Sequence, residues 1–475
     1  MRDLFKSAST LSCTSLLLVS LLTGCVYYGD IHGDSHQYDL SDVAQPHTYS
    51  HPTPVAETKP GWWDKFHDPQ LNQLITVALS DSPKMKMAES RIRNAQHLAE
   101  AAGASLWPAV DLSGSSERAK FPKYGLIPPP FNNKVFTIND VALNLNYDFD
   151  FWGKNSQTLK ARLGEVLAAQ ADLNAAQLAL SSAVANVYFE LLNDVVQVKL
   201  AQARWDLNKQ RLQIASDRLQ HGIRSEIPIN TINLDTQLAM QAVEKYKQDE
   251  LLARHQLSVL LGKNPFNTDI ETQQFTYHPY QVSLPASLPA NLLANRPDIQ
   301  ATKFRAEAAA HDINVAKAQF FPDINLNLLF SYQSVISNQL FKSSSQYKGI
   351  TGAFDLPIFD AGARRANLGM KYAEYDLAVN DYNQTLLTAL REVADQLSNL
   401  QTLKPQIKAQ TISLNSIQRN YTLYRARYRQ GIADYDDLLG IKDTLLTQQA
   451  DLINLQIRHL QTLVAMLRAL GGQDV

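Results

Sequence analysis

The sequence predicts a mainly α-helical chain with a membrane β-barrel portion, built as an internal two-fold repeat with four strands and long coiled-coil-like helices. Three observations predict it. Gly153 and Gly362, Gly222 and Gly431, and Gly262 and Gly471 are each separated by 209 residues. From Lys154 to Gln220 there is no proline, and Leu180, Val184, Val187, Leu191, Val195 and Val198 recur at three and four, the helical period. Across residues 141–151 the period becomes two. Val141, Leu143, Leu145, Tyr147, Phe149 and Phe151 share one face, and Ala142, Asn144, Asn146, Asp148 and Asp150 share the other.

The chain opens with a segment that reads as targeting rather than structure. Arg2 and Lys6 precede the short apolar run Leu16–Leu22, which ends in Leu22-Thr23-Gly24-Cys25. A short apolar core closed by small residues marks a cleaved signal peptide over 1–24. The tetrapeptide looks like a bacterial lipobox, which implies lipidation at Cys25 and an acyl anchor in the membrane. Val26 rather than Asp after the cysteine favours the outer membrane. Residues 25–60, with Pro46, Pro52, Pro54 and Pro60, read as a tether. His32, His36, His47 and His51 are irregularly spaced there and read as part of a solvated linker rather than as a metal set.

The two copies of the repeat are expected at 61–262 and 288–475, joined by a linker or equatorial segment at 263–287. Pro83 and Pro297 mark helix starts, where proline is tolerated, and both helices stop at Trp107-Pro108 and Phe321-Pro322. These proline pairs lie 214 residues apart, so one five-residue insertion in a connecting loop reconciles them with the glycine offset. Strand patterning follows, and in the second copy Ile324, Leu326, Leu328, Phe330 and Tyr332 alternate likewise. About 9–11 residues suffice for a tilted membrane strand. Trp107, Phe151, Trp152, Phe320, Phe321 and Phe359 flank the strands as interfacial aromatics do. The helix after Gly153 would reach about 100 Å at 1.5 Å per residue, and 363–430 matches it with Pro405 inside. Gly222 and Gly431 stop these helices, and the chain returns through 226–261 and 434–470.

Composition narrows the function classes. A net charge of −2 gives no basic surface for nucleic acid. Two cysteines cannot make a disulfide scaffold or a four-cysteine zinc site. The absence of a phosphate loop, H-E-x-x-H or G-x-S-x-G argues against an enzyme, and no cofactor or metal site is expected. No uninterrupted apolar run spans a bilayer as a helix. Four strands cannot close a barrel, and open sheet edges are not tolerated in lipid, so several chains must combine. Three chains would give a 12-strand barrel. Asn144, Asn146, Asp148 and Asp150 would then line a wet lumen, and the helices would extend the conduit into the periplasm.

At this point the sequence resembles the TolC-like outer-membrane efflux proteins, in their lipoprotein (OprM/CusC/MdtP-like, NodT-type) branch. The resemblance rests on Cys25, Gly61-Trp62-Trp63, Phe66-His67-Asp68-Pro69-Gln70-Leu71 and Asp150-Phe151-Trp152-Gly153. It also rests on Asn295-Arg296-Pro297-Asp298-Ile299, Ala318-Gln319-Phe320-Phe321-Pro322, Leu356 to Gly362, and Tyr428-Arg429-Gln430-Gly431. It implies a homotrimer with a 12-strand barrel on a 12-helix tunnel. It also implies partners: a periplasmic adaptor and an inner-membrane pump of the RND or major-facilitator type. The implied function is passive export of drugs or other small toxic compounds through the outer membrane of a Gram-negative bacterium.

By the same resemblance, Tyr428 and Asp437 belong to a periplasmic gate, together with Asp434 and Arg224. Where the family can place an arginine two residues after the second glycine this chain has Ala433, and Arg224, in that place after Gly222, is the candidate substitute. Pro228 stands where an acidic residue is often found. Asp434 and Asp437 also suit a helix start on their own. Gly222, Ile223, Gly431 and Ile432 are the implied adaptor contacts. A type I protein or peptide secretion channel shares the fold, and a structural coiled-coil lipoprotein is the reading from another class.

Overall fold

The computed structural model describes residues 31–38, 61–223, 225–266 and 294–472, with positions 270, 272 and 275–277. The signal peptide, Cys25, most of the tether and Arg224 lie outside the described residues. Each copy runs helix, strand, strand, long helix, returning helix, and in the first copy one further helix precedes this series. The elements are α1 (Pro69–Asp81), α2 (Pro83–Ala104), β1 (Ala109–Lys120), β2 (Val135–Phe149), α3 (Lys154–Gln220) and α4 (Ile227–Leu260). The second half gives α5 (Pro297–Ala318), β3 (Asp323–Ser334), β4 (Gln346–Asp355), α6 (Ala363–Arg429) and α7 (Tyr435–Ala469). A 3-10 turn over Trp62–Phe66 precedes α1. The chain divides into two compact units, and each draws on both copies. Both 67-residue helices, α3 and α6, contribute to each unit.

The first unit holds Ile92–Ala169, Thr302–Tyr382 and the described stretch 31–37. Its four-stranded sheet has the order β1-β2-β3-β4, antiparallel throughout. Leu143 lies opposite Leu112 and Phe330, and Leu145 opposite Val110 and Leu328. Antiparallel register therefore gathers the alternating residues of all four strands into two chemically distinct faces. Ile313, Ala316 and Leu368 form a small core with Phe320, Tyr372 and Tyr375. Gly164 lets α3 meet α5 closely, since a Cβ there would stand 3.0 Å from that of Ala308. Asp376 on α6 accepts from the amides of Asp34 (3.1 Å) and Ser35 (2.9 Å), holding the stretch 31–37.

One boundary departs from the sequence reading. The alternation predicts a strand through Phe151, but β2 ends at Phe149. Asp150 leaves the ladder to cap the next helix. Its carboxylate accepts from the amides of Asn155 (2.9 Å) and Ser156 (2.8 Å) at the start of α3. Capping the exposed amides of a helix start stabilises it by about 1 kcal/mol, and it fixes where the strand stops. Trp152 then stacks on Phe321 with centroids 4.6 Å apart and donates its indole N–H to the Pro322 carbonyl at 2.8 Å.

The second unit comprises Tyr38–Arg91, Gln170–Ala301 and Asn383–Val475. Its largest core gathers Trp62, Phe66, Leu71, Ile75, Tyr188, Leu191, Leu257, Leu463 and Leu467. The sequence reading has no helix before Pro83. The structure adds α1, capped by Asp68, which accepts from the amides of Gln70 and Leu71 and from the Tyr188 hydroxyl at 2.8 Å. One window of α3 is long and apolar enough to span a bilayer, but 61% of it is buried within the chain. Val184 and Ala185 of α3 are fully buried in the core of this unit.

Candidate functional site

The two sheet faces differ in charge as well as in polarity. The face bearing Leu143 and Leu145 continues through Val110, Leu112, Leu326, Leu328, Phe330, Ile350 and Phe354 by register. Its charged strand residues are Arg118, Lys120 and Lys348, all basic. The opposite face carries Asn144, Asn146 and Asp148, with Asn325, Asn327 and Thr351 beside them. Its charged strand residues are Asp111, Glu117, Asp140, Asp148, Asp323 and Asp355, all acidic. The amide of Asn327 donates to Asn146 across the strands at 2.5 Å. Asn144, Asn146 and Asp148 thus share the predicted polar face. Asp150 sits beyond the strand end as a helix cap.

The two helix turns are built alike from matching sequences. Gly222 (φ 70°) and Gly431 (φ 71°) take the left-handed conformation. In the first turn the Gly222 amide donates to Leu219 and that of Ile223 to Arg218. In the second, Gly431 donates to Tyr428 and Ile432 to Arg427. This is the paired bonding that satisfies the last carbonyls of a helix. Among the described residues nothing lies within 4 Å of a Cβ placed on either glycine, so the dihedral is what calls for glycine there. Ile223 and Ile432 project outward, 73% and 63% exposed. An isoleucine in water at the tip of each turn is available for contact with another protein.

Around the second turn, Asp434 caps α7 through the Asp436 amide. It also accepts both guanidinium nitrogens of Arg218, at 2.7 and 2.6 Å. That bidentate bond holds its carboxyl down at about 2, against the opposing effect of burial. Arg211 pairs with Asp436 at 2.9 Å, and Arg204 with Asp443 at 2.9 and 3.1 Å. The three arginines are seven residues apart on α3, so one seam of that helix is tied to α7. The sequence reading missed this ladder; the arginine spacing was the available signal. Asp437 is exposed, and no hydrogen bond or ion pair engages its carboxylate among the described residues. The Tyr428 ring rests against Tyr435, with centroids 4.9 Å apart. Arg224 lies outside the described residues.

Two of the sequence motifs prove to be packing devices in the second unit. Arg296, 5% exposed, donates to Asp298 (3.1 and 2.7 Å), Glu392 (2.9 Å) and the Ala469 carbonyl (2.8 Å). Trp62 and Trp63 are buried, and the Trp62 indole donates to Ser181 at 3.2 Å. Neither arrangement brings a nucleophile and a base together.

The outer membrane efflux protein family model matches residues 74–263 and 288–472. The multidrug resistance outer membrane protein MdtQ of Escherichia coli O157:H7 is 30% identical, over 99% of this chain and 99% of its own length. MdtP of Escherichia coli strain K12 is 25% identical over 97% and 96%. Among solved structures, the outer membrane protein VceC of Vibrio cholerae superposes with a TM-score of 0.77 at 30% identity, covering 88% of this chain and 99% of that one. CusC gives 0.77 at 26% identity, over 90% and 100%. With four strands sorted into a polar and an apolar face, two 67-residue helices and these matches along both halves, the chain belongs to the outer membrane efflux protein family, whose members are outer-membrane channels.

Proposed function

We propose that this chain is the lipid-anchored outer-membrane duct of a tripartite efflux system, exporting drugs or other small toxic compounds. The sheet carries the reading. One face is apolar enough for lipid, the other is polar and acidic, and among the described residues β1 and β4 each have one unpaired edge. Lipid does not tolerate such edges, so copies of the chain pair β4 of one with β1 of the next. Three copies give twelve strands. The lipid on Cys25 anchors the trimer, and the relatives' naming as multidrug resistance proteins supports small-molecule cargo. The chain acts as a passive conduit and not as an enzyme.

At the periplasmic end, Gly222, Ile223, Gly431 and Ile432 form the docking points for an adaptor, which couples the duct to an RND or major-facilitator pump. Tyr428 and Asp437 belong to the gate. Asp434 shapes it by fixing the start of α7 to Arg218. Photo-crosslinkers placed at Ile223 and Ile432 in cells, followed by mass spectrometry, test the assignment. Capture of an adaptor with a proton-driven pump is the expected result. Capture of an ABC exporter instead would move the function to protein or peptide secretion. Capture of neither, with no heat-labile trimer on unboiled gels, would return the chain to a structural lipoprotein.

A further inference from the structure

We propose that the apolar sheet face ends, on its loop side, in a basic band that binds the phosphate groups of a phosphorylated glycolipid in the outer leaflet. Arg118, Lys120 and Lys348 form the band. The proposal rests on reading the sheet as membrane-spanning.

Charge sorting across the sheet carries the inference. Every charged strand residue on the apolar face is basic, and every one on the polar face is acidic. Salt-bridge pairing across the strands would mix the two signs on one face, and this sheet does not do so. All three basic residues also lie toward one end. The helices α2, α3, α5 and α6 join the sheet at Ala109, Phe149, Asp323 and Asp355, while the loops 121–134 and 335–345 join it at the other end. Lys120 is the last residue of β1, Arg118 stands two before it, and Lys348 is the third residue of β4. Toward the helix end the same face is uncharged, with Phe149, Ile324 and Phe354 in one row.

Among the described residues these cations have no anionic partner. All three are exposed, and none is engaged in an ion pair among the described residues. Lys348 sits in the row of Leu112, Leu143 and Phe330, its ammonium 5.6 Å from the Phe330 ring centroid. An ammonium in such a row is costly in hydrocarbon and extends along its stem to the nearest polar layer. At the loop end that layer is the outer leaflet's headgroups. The loops reinforce the sign, holding Lys123, Lys134 and Lys342 and no acidic residue. Phosphate oxygens accept charge-assisted hydrogen bonds from Arg and Lys, whereas uncharged sugars would leave the cations unneutralised.

Native mass spectrometry of the detergent-purified full-length oligomer reads the bound lipid directly. The probes are a purified phosphorylated outer-leaflet glycolipid and the same glycolipid after phosphatase treatment. The wild type is expected to retain the phosphorylated form and lose most of the treated form. At about fivefold per basic residue near the headgroups, the R118Q/K120Q/K348Q variant is expected to retain it roughly a hundredfold less well. Lys348→Met, which keeps an unbranched stem on an apolar face, is expected to lose about fivefold. Equal retention by wild type and triple variant, or no preference for phosphate, would overturn the proposal. So would release of the lipid by excess inorganic phosphate, which would make the band an ion site. A heat-labile oligomer with no phosphate preference sinks this proposal alone. Absence of that oligomer from wild-type outer membranes sinks the membrane reading with it.

Discussion

The Arg296 guanidinium donates to two carboxylates and a helix-terminal carbonyl from a position 5% exposed. Truncating one member of such a buried set strands the others, at a cost of about 3–5 kcal/mol. Arg296→Met is therefore expected to lower the temperature at which the oligomer dissociates. Arg296→Lys is expected to recover only part, because an ammonium lacks the planar fork. Two aspartates set opposite pH slopes. Asp434 is held at about 2, chiefly by Arg218, so its stabilisation is present above the ordinary carboxylate range and fades as pH falls from about 4 to about 2. Asp194 is pushed up to about 7, first by burial and then by Glu190 and Asp249. Its protonated form favours the folded state, so stability is expected to fall as pH rises from about 4 to about 7. Asp194→Asn should flatten that upper slope and Asp434→Ala the lower one, both read from melting temperature against pH. The cap role of Asp434 was legible from its place before a helix. Its partner was not, because Arg218 lies 216 residues away in sequence and only the folded hairpins bring them together.

At the scale of elements, the helices and turns were legible because glycine spacing and apolar period are local properties. The left-handed φ at Gly222 and Gly431 disfavours any side chain, while no described residue comes within 4 Å of a Cβ placed on either, which sets steric clash aside as a cause. Gly222→Ala and Gly431→Ala are each expected to cost about 1 kcal/mol. Amide exchange near each turn would show the loss, and it should be confined to that turn. Had alanine been harmless at both positions, the matching glycines would owe their presence to something other than backbone strain. The β2 boundary was misread for a physical reason. Alternation persists chemically through Phe151, but the Asp150 carboxylate satisfies helix amides and ends the strand. The arginine ladder was missed because arginines on a long helix face are usually solvated. Only the return of α7 along the same seam supplies their carboxylates.

For the whole molecule, the decisive constraint is that the described residues of one chain supply four strands with two unpaired edges, while every charged strand residue on the polar face they would enclose is acidic. Closing copies around that face concentrates carboxylates along a narrow wet path, and fixed negative charge in a confined lumen enriches cations. The duct is expected to prefer cations in planar bilayers, with a reversal potential that shifts toward zero in Asp111→Asn/Asp148→Asn. The preference should weaken as salt rises, since the screening length contracts from about 10 Å at 0.1 M to about 3 Å at 1 M. Asp437 is a separate case, exposed and outside any ion pair among the described residues, beside the second helix turn. Asp437→Ala is expected to relieve block by multivalent cations added from the periplasmic side while leaving the reversal potential near the wild-type value. The sheet variant should do the reverse. If either variant moved both readouts together, the two sets of carboxylates would not act as separate barriers, and the assignment of Asp437 to a gate would fail.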